Sequence, residues 1–414
     1  MKSSSLRLRL STLLTHRSSV RFRNYPTRRN TLHALVVLVG AVPIAALVFV
    51  VLVVRSFFQP QLRVMVLAVD GEFAGFVSLM ECFRHDTERG DHFDYVVVLS
   101  SWRHQTLHKL YRNETGAKIL WGGGPSGLLQ QALMLQPKSL VFSTERANWS
   151  HFVRGFHYAQ RRISPSKELL SLRNELMQQL GLFEGQYVLM SVYTKAYEVE
   201  RNPRFLKSVR LLETVGDELV PGVDYLVKQN LGVILLGSPD TGRSKIPRQV
   251  LRLSEFGSLG GPEEVALASG CKYFWTDNVG AWWLTAPFQR PVLHTNFHHK
   301  TARKPTVGRD LFVPRRYQTP DGRPLTLRDM LYMEGSPYKA ALRGELLQIR
   351  NSREEVLEAQ QEMLARVNGK WFETSIMIQR REYVEQLYSD YSAEDLHPLR
   401  MPAAFLERHE YLLG

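Results

Sequence analysis

Cysteine is nearly absent, with only Cys82 and Cys271 in 414 residues. The two fall in separate predicted domains, so the chain has neither a disulfide framework nor a Cys-rich metal site. Acidic residues are missing altogether from positions 1–55, which hold nine of the 53 Lys and Arg. Most of the formal charge of +13 therefore sits in the tail, and the other 359 residues carry a scattered +4. That is too little for the basic stripe a nucleic-acid reader needs, and no nucleic-acid partner is expected. Internal repeats are lacking too. A hydrophobic content of 44% with 22% charge excludes a disordered or collagen-like chain. The length predicts one large or two medium domains with a sizeable core.

The one long apolar run is Ala34 to Val54, 21 residues without a charge. As a helix it is long enough to cross a hydrocarbon core of roughly 30 Å, and membrane helices tolerate a proline such as Pro43. Lys2, Arg7, Arg9, Arg17, Arg21, Arg23, Arg28 and Arg29 precede it, while only Arg55 and Arg63 follow closely. The positive-inside rule then leaves residues 1–33 as a cytosolic tail, 34–54 as the anchor in the lipid bilayer and 55–62 as a short stem. A single-pass type II protein of the Golgi or another secretory membrane is expected. A cleaved mitochondrial transit segment is the competing reading of the Arg- and Ser-rich start. The sequons at Asn113-Glu114-Thr115 and Asn148-Trp149-Ser150 agree with a luminal domain.

From Arg63 onward, short apolar runs alternate with amphipathic stretches, the pattern of parallel sheets built from βα units. Strands are predicted at 63–69, 95–99 and 118–121 in a first Rossmann-like domain, 63–165. A helix over 166–182 opens a second, 166–345, with strands at 186–193, 231–237, 272–277 and 291–296. Helices occupy 346–414, where Ser352 and Glu355 form a capping box and Gly369 a stop.

Four stretches have the composition of ligand sites. Gly237 to Ser244, "GSPDTGRS", nearly spells a P-loop, but Arg243 replaces the lysine and Pro247 interrupts the helix. "WGGGPSG" from Trp121 puts four glycines after a strand, which suits either an anion or a tight turn. Asp70 and Glu72 follow the first strand, where a carboxylate can serve as general base toward a hydroxyl. In "CKYFWTDNVGAWWLTAPFQRPVLHTNF", Thr276, Asp277, Asn278 and Gly280 stand between a strand and a helix. Free amides and the positive end of the helix dipole would face a diphosphate there, although Asp277 and Asn278 also suit plain capping. His294, His298 and His299 lack acidic or Cys partners at ligand spacing, so no metal is expected.

Together these motifs resemble a family of glycosyltransferases found in surface-polysaccharide gene clusters. The resemblance runs from about Val69 to Gly369, through "GEFAGFVSLMECF", "YLVKQNLGVILLG", the Cys271 stretch, "GRDLFVPRRYQTPDGRPLTLRDML" and "LLQIRNSREEVLEAQQEMLARVNG". It implies glycosyltransferase fold B, two Rossmann-like domains with the nucleotide-sugar donor in the second and the acceptor in the first. Carried over, Thr276, Asp277, Asn278 and Gly280 lie at the donor diphosphate, Gly237 and Asn296 line the pocket, and Glu263 reaches a ribose. Asp70 and Glu72 would be catalytic. Where the family has arginines, this chain has Tyr193 and Leu235; Arg243, Arg290 and Lys195 are the candidate replacements.

The expectation is a membrane-anchored, metal-independent glycosyltransferase that uses a nucleotide sugar as substrate and needs no cofactor. Its acceptor is a glycan, a lipid-linked glycan or a protein. The alternative is a catalytically inactive nucleotide- or glycan-binding scaffold of the same fold.

Overall fold

The computed structural model describes residues 64–68, 76–77, 80–81, 84, 95–99, 105–115, 118–121, 141–143, 162–192, 216–236, 247–255, 261–277, 280–297, 310–334, 336–391 and 400–414. The expected tail, anchor and stem lie outside these residues. Among the described residues no helix is long and apolar enough to cross a membrane.

Four strands, β1 (Val64–Ala68), β2 (Tyr95–Leu99), β3 (Lys118–Trp121) and β4 (Val141–Ser143), form an all-parallel sheet in the order β3-β2-β1-β4. Helix α1 (Gln105–Thr115) links β2 to β3. Phe76, Val77, Met80, Glu81 and Arg84 are helical and buried, at the spacing of one helix face. Glu81 in that face accepts from Tyr111 of α1 at 2.6 Å and pairs with Arg84 at 2.7 Å. A buried carboxylate is thereby satisfied twice.

After α2 (Lys167–Leu180) comes a second, six-stranded parallel sheet. Its strands are β5 (Tyr187–Ser191), β6 (Gly232–Leu236), β7 (Leu251–Arg252), β8 (Phe274–Asp277), β9 (Val292–Phe297) and β10 (Leu311–Pro314). Their order is β10-β9-β8-β5-β6-β7. Numbered by appearance within the sheet, this is 3-2-1-4-5-6, the doubly wound order of dinucleotide-binding folds. Helices α3 (Gly216–Lys228) and α4 (Pro262–Gly270) supply crossovers, and a 3-10 helix, Gly280–Phe288, joins β8 to β9.

Alternation along the strands divides the core between the two faces of this sheet. Tyr187, Leu189, Ile234, Phe274 and Val292 pack with α2, α4, the 3-10 helix and Phe76, Leu107 and Tyr111 of the first sheet's helices. Val188, Met190, Val233, Trp275 and Leu293 pack on α3 and on α7 (Arg353–Val367), in a layer that also takes in Met330 of α5 (Leu327–Tyr332) and Ala340 of α6 (Pro337–Arg343). The C-terminal helices α8 (Ser375–Tyr391) and α9 (Ala403–Arg408) complete that second layer through Val384, Leu387, Phe405 and Leu406.

Local signals explain the helix ends. Ser166 caps α2 and Gly181 closes it at φ 63°, a left-handed angle that glycine adopts without penalty. Ser352 and Glu355 exchange capping-box bonds at 3.2 and 2.8 Å, as the sequence predicts. Pro221 lies inside α3, where it removes one backbone donor, and the helix nevertheless begins ahead of it, at Gly216. The next residue, Gly222, lets α3 approach α7: a Cβ there would sit 3.1 Å from Gln360, 3.2 Å from Trp275 and 3.3 Å from Val356.

Glu355 also ties the last residues to the sheet layer. It accepts from His409 at 2.5 Å and pairs with Arg316 at 3.1 Å. Burial alone would raise its carboxyl, but the His409 and Ser352 hydrogen bonds and the Arg316 charge hold it below the ordinary value.

Two outcomes are expected. Gly222→Leu forces α3 off α7 and costs about 1–3 kcal/mol in a urea titration. A depressed folded-state carboxyl contributes stability above the unfolded value, about 4.3, that is lost as pH falls through the folded value. Glu355→Gln removes that contribution, so the melting temperature of the variant falls less steeply on acidification below about pH 4.

Candidate functional site

In an open parallel sheet the crevice for a ligand lies beyond the carboxyl ends of the strands, where the chain switches direction. Here that point lies between β5 and β8. Ser191, the last residue of β5, and Thr276 of β8 face each other with hydroxyls 3.1 Å apart. Both are buried.

Asp277 ends β8 and is almost wholly buried. Its carboxylate lies between two guanidinium groups, Arg350 at 3.4 Å and Arg315 at 4.0 Å. Glu218, in the first turn of α3, holds Arg350 through bonds of 2.7, 2.8 and 3.0 Å. The four charges sum to zero, as removal from water demands. Burial depresses the Arg315 guanidinium, with Asp277 opposing; at Arg350 the hydrogen bonds and charges of Glu218 and Asp277 outweigh burial and raise it.

The pairing of β11 (Arg316–Gln318) with β12 (Leu347–Ile349) explains how residues so far apart in sequence meet. The two are antiparallel with Arg316 opposite Ile349, so Arg315, just before β11, adjoins Arg350, just after β12.

Asparagines close the frame. Asn296 in β9 has φ 51°, a left-handed angle that Asn tolerates better than most residues. Its backbone N–H donates to the Asn351 side chain, whose own backbone N–H donates to Asn296 Oδ1 at 2.8 Å. Asn351 Nδ2 donates to Pro314 O at 2.9 Å and Arg315 Nε to Asn296 O at 2.7 Å.

Thr276, Asp277 and Asn296, singled out from the sequence, are thus brought together, all of them buried. The side chains that face outward are Arg350, 19% exposed, and Glu218, 16% exposed. Gly280 begins the 3-10 helix, and Glu263 stands half-buried in the first turn of α4. Asp70, Glu72, Gly237, Asn278, Lys195 and Arg243 lie outside the described residues. Arg290 precedes β9 and is therefore at the opposite, amino edge, bonded to Ser269 O at 3.0 Å and to Glu184 at 3.1 Å. It does not replace an arginine at the carboxyl edge.

Arg315, Arg350, Glu218 and Asn351 were not read as site residues from the sequence. Their one signal was the conjunction of "VPRRYQ" and "LQIRNS" around two short apolar runs. Glu218 reads there as ordinary dipole compensation.

A separate groove of about 330 Å³ runs between α1 and α2, lined by Gln105, Thr106, Lys109, Asn113, Ser166 and Glu168 and reaching Pro262. Lys109 and Glu168 pair across it at 3.5 Å. The amino-terminal residues of α1, α2 and α4 all border it.

Among the described residues no group of three or more His, Cys, Asp or Glu is placed to hold a metal ion. His294 is buried edge-on to Trp282 and beside Phe297. Burial pushes the Cys271 thiol up to about 12, so it is not a nucleophile at neutral pH.

No family model and no curated protein matches the chain. Among solved structures it is similar to the glycosyl transferase family 9 protein of Veillonella parvula, at 10% identity over 56% of this chain and 80% of that one, TM-score 0.37. It is similar to the ADP-heptose LPS heptosyltransferase II of E. coli, at 12% identity over 74% and 100%, TM-score 0.38. A UDP-GlcNAc 2-epimerase of Methanocaldococcus jannaschii overlaps at 12% identity over 59% and 72%, TM-score 0.27. Likeness this distant does not decide an activity, and the names span transferases and an epimerase.

Asn351→Ala is expected to unfold at lower urea, by about 1–3 kcal/mol, because a buried N–H and a buried carbonyl lose their partner together.

Proposed function

We propose that the protein is a nucleotide-sugar-dependent glycosyltransferase of fold B. The observation that carries this reading is the doubly wound second sheet, whose switch point has Ser191 and Thr276 at its floor and Arg350 at its rim. A pyrophosphate placed outside this edge meets a guanidinium already oriented by Asp277 and Glu218, with its fork geometry suited to phosphate oxygens. During transfer the acceptor oxygen forms its bond to the sugar C1 while the bond from C1 to the diphosphate oxygen breaks, and negative charge grows on the leaving nucleoside diphosphate. Arg350 stabilises that charge and fills the role of the arginines that the resemblance leads one to seek at Tyr193 and Leu235. Thr276, Asp277 and Asn296 set the frame that holds it. The acceptor enters from the first sheet's side, and Asp70 or Glu72 takes the proton of its hydroxyl.

The proposal extends to the membrane. The uncharged run 34–54 anchors the chain with its basic tail in the cytosol and the two sheets in the lumen of a secretory compartment. No metal is required in this reading, since Arg350 supplies the charge at the leaving group.

One observation favours a second reading, a binding scaffold without turnover: Glu218 already neutralises Arg350 bidentately. The two separate experimentally. The full chain is screened for thermal stabilisation against nucleotide sugars, beside Arg350→Ala. A donor present at ~100 times its Kd adds about 2.7 kcal/mol of apparent stability. Transfer to an acceptor, reduced on the order of 10²-fold or more in Arg350→Ala, is the expected result. Binding without transfer or donor hydrolysis supports the scaffold, and no stabilisation by any nucleotide sugar refutes both.

A further inference from the structure

A second concentration of arginine lies in the C-terminal layer and plays no part in the reading above. Arg366 of α7, Arg380 and Arg381 of α8, and Arg400 ahead of α9 converge on one pocket, with Glu373 as the only carboxylate among the described residues of its lining. Met377, Met401 and Leu406 form its apolar wall. Its free interior is about 10 Å³, the room a single water-sized group occupies.

The hydrogen-bond accounting is uneven. Arg366 is the best paired of the four, giving Nε to Glu362 and Nη2 to Glu373, each at 2.8 Å. Arg380 reaches outward to Glu410 at 2.9 Å. Arg381 is less well served: its Nε is buried, lies 3.5 Å from Glu373 and 3.8 Å from Glu385, and makes no hydrogen bond to either. The Arg400 guanidinium makes no hydrogen bond or ion pair among the described residues, and burial followed by the nearby charge of Arg366 pushes it down. Glu385, the other carboxylate near Arg381, is itself raised by burial. Among the described residues lining the pocket, four guanidinium groups face one carboxylate, while Phe372, 84% exposed, and Ile376, 60% exposed, stand next in sequence to Glu373 and Met377 of that lining.

We infer that this pocket is a phosphate-binding site, in which one phosphate oxygen enters between Arg381 and Arg400 and the rest of the group stays at the mouth. A guanidinium pair bonds phosphate oxygens through several N–H groups at once, and the missing acceptors are thereby supplied. A soluble phosphate and a lipid phosphate headgroup share this chemistry. The lipid source also covers Phe372 and Ile376 with its acyl chains.

The test uses the full chain and three probes at matched ionic strength: inorganic phosphate, monomeric dihexanoyl phosphatidate, and acetate, with sodium chloride as reference. Phosphate is expected to raise the melting temperature on the order of 2 °C or more, and Arg400→Gln to abolish the shift. Phosphatidate acting at about tenfold lower concentration than phosphate assigns the site to a lipid headgroup; equal potency assigns it to a soluble phosphate. Acetate acting as well as phosphate, or no probe exceeding chloride, overturns the inference. Should Arg400→Gln fail to fold, phenylglyoxal modification of the unsubstituted protein gives the answer. Phosphate protects Arg400 and Arg381 from the reagent if the site exists, and unchanged labelling refutes it.

Discussion

The carboxylate of Asp277 is the group on which the second sheet's working edge depends. A buried anion left alone costs several kcal/mol, so everything around it is arranged to answer its charge. Arg315 and Arg350 do so side by side from one end of the antiparallel β11–β12 pair. In turn they recruit Glu218 from α3 and the carbonyl of Asn296 from β9. Five segments remote in sequence therefore meet at one place through charge and hydrogen bonds. Asn351 extends the same logic to the backbone, meeting the N–H of Asn296 and the carbonyl of Pro314 where the strands end.

Apolar packing does the complementary work. Because side chains alternate across each strand, one sheet supports two separate layers. The layer through Tyr187 and Leu189 is continuous with helices of the first sheet. The layer through Val188 and Met190 is completed by α3, α7, α8 and α9. The segment 346–414, set apart in the sequence reading, thus supplies part of the sheet's own cover and delivers Arg350 to the edge.

Strands with four or more apolar residues in a row, such as β2 "YVVVL" and β6 "GVILL", were legible in the sequence because parallel strands buried on both faces carry no polar alternation. The capping box at Ser352 was legible because its chemistry is local. Three strands of the two parallel sheets were not. β4 offers three residues, "VFS", too few to show a period, and β10 "LFVP" ends on a proline between arginine-rich stretches that mask it. β7 is two residues long. The site divided along the same line. Thr276, Asp277 and Asn296 stand at strand ends that the apolar runs mark, whereas Arg350 and Glu218 reach them only through tertiary contacts with no sequence period. Arg290 misled for the converse reason: next to "PVLHTN" in sequence, it belongs to the other end of the strand.

The edge strand β10 has one further property. Its outward-facing N–H at Phe312 donates to the carbonyl of Arg400 at 3.0 Å, so the chain entering α9 covers part of an edge that would otherwise be open. An open parallel edge is a template for another chain. The C-terminal segment thus occupies a position that a strand of another chain could take, and its local detachment, even with both sheets intact, would uncover that donor.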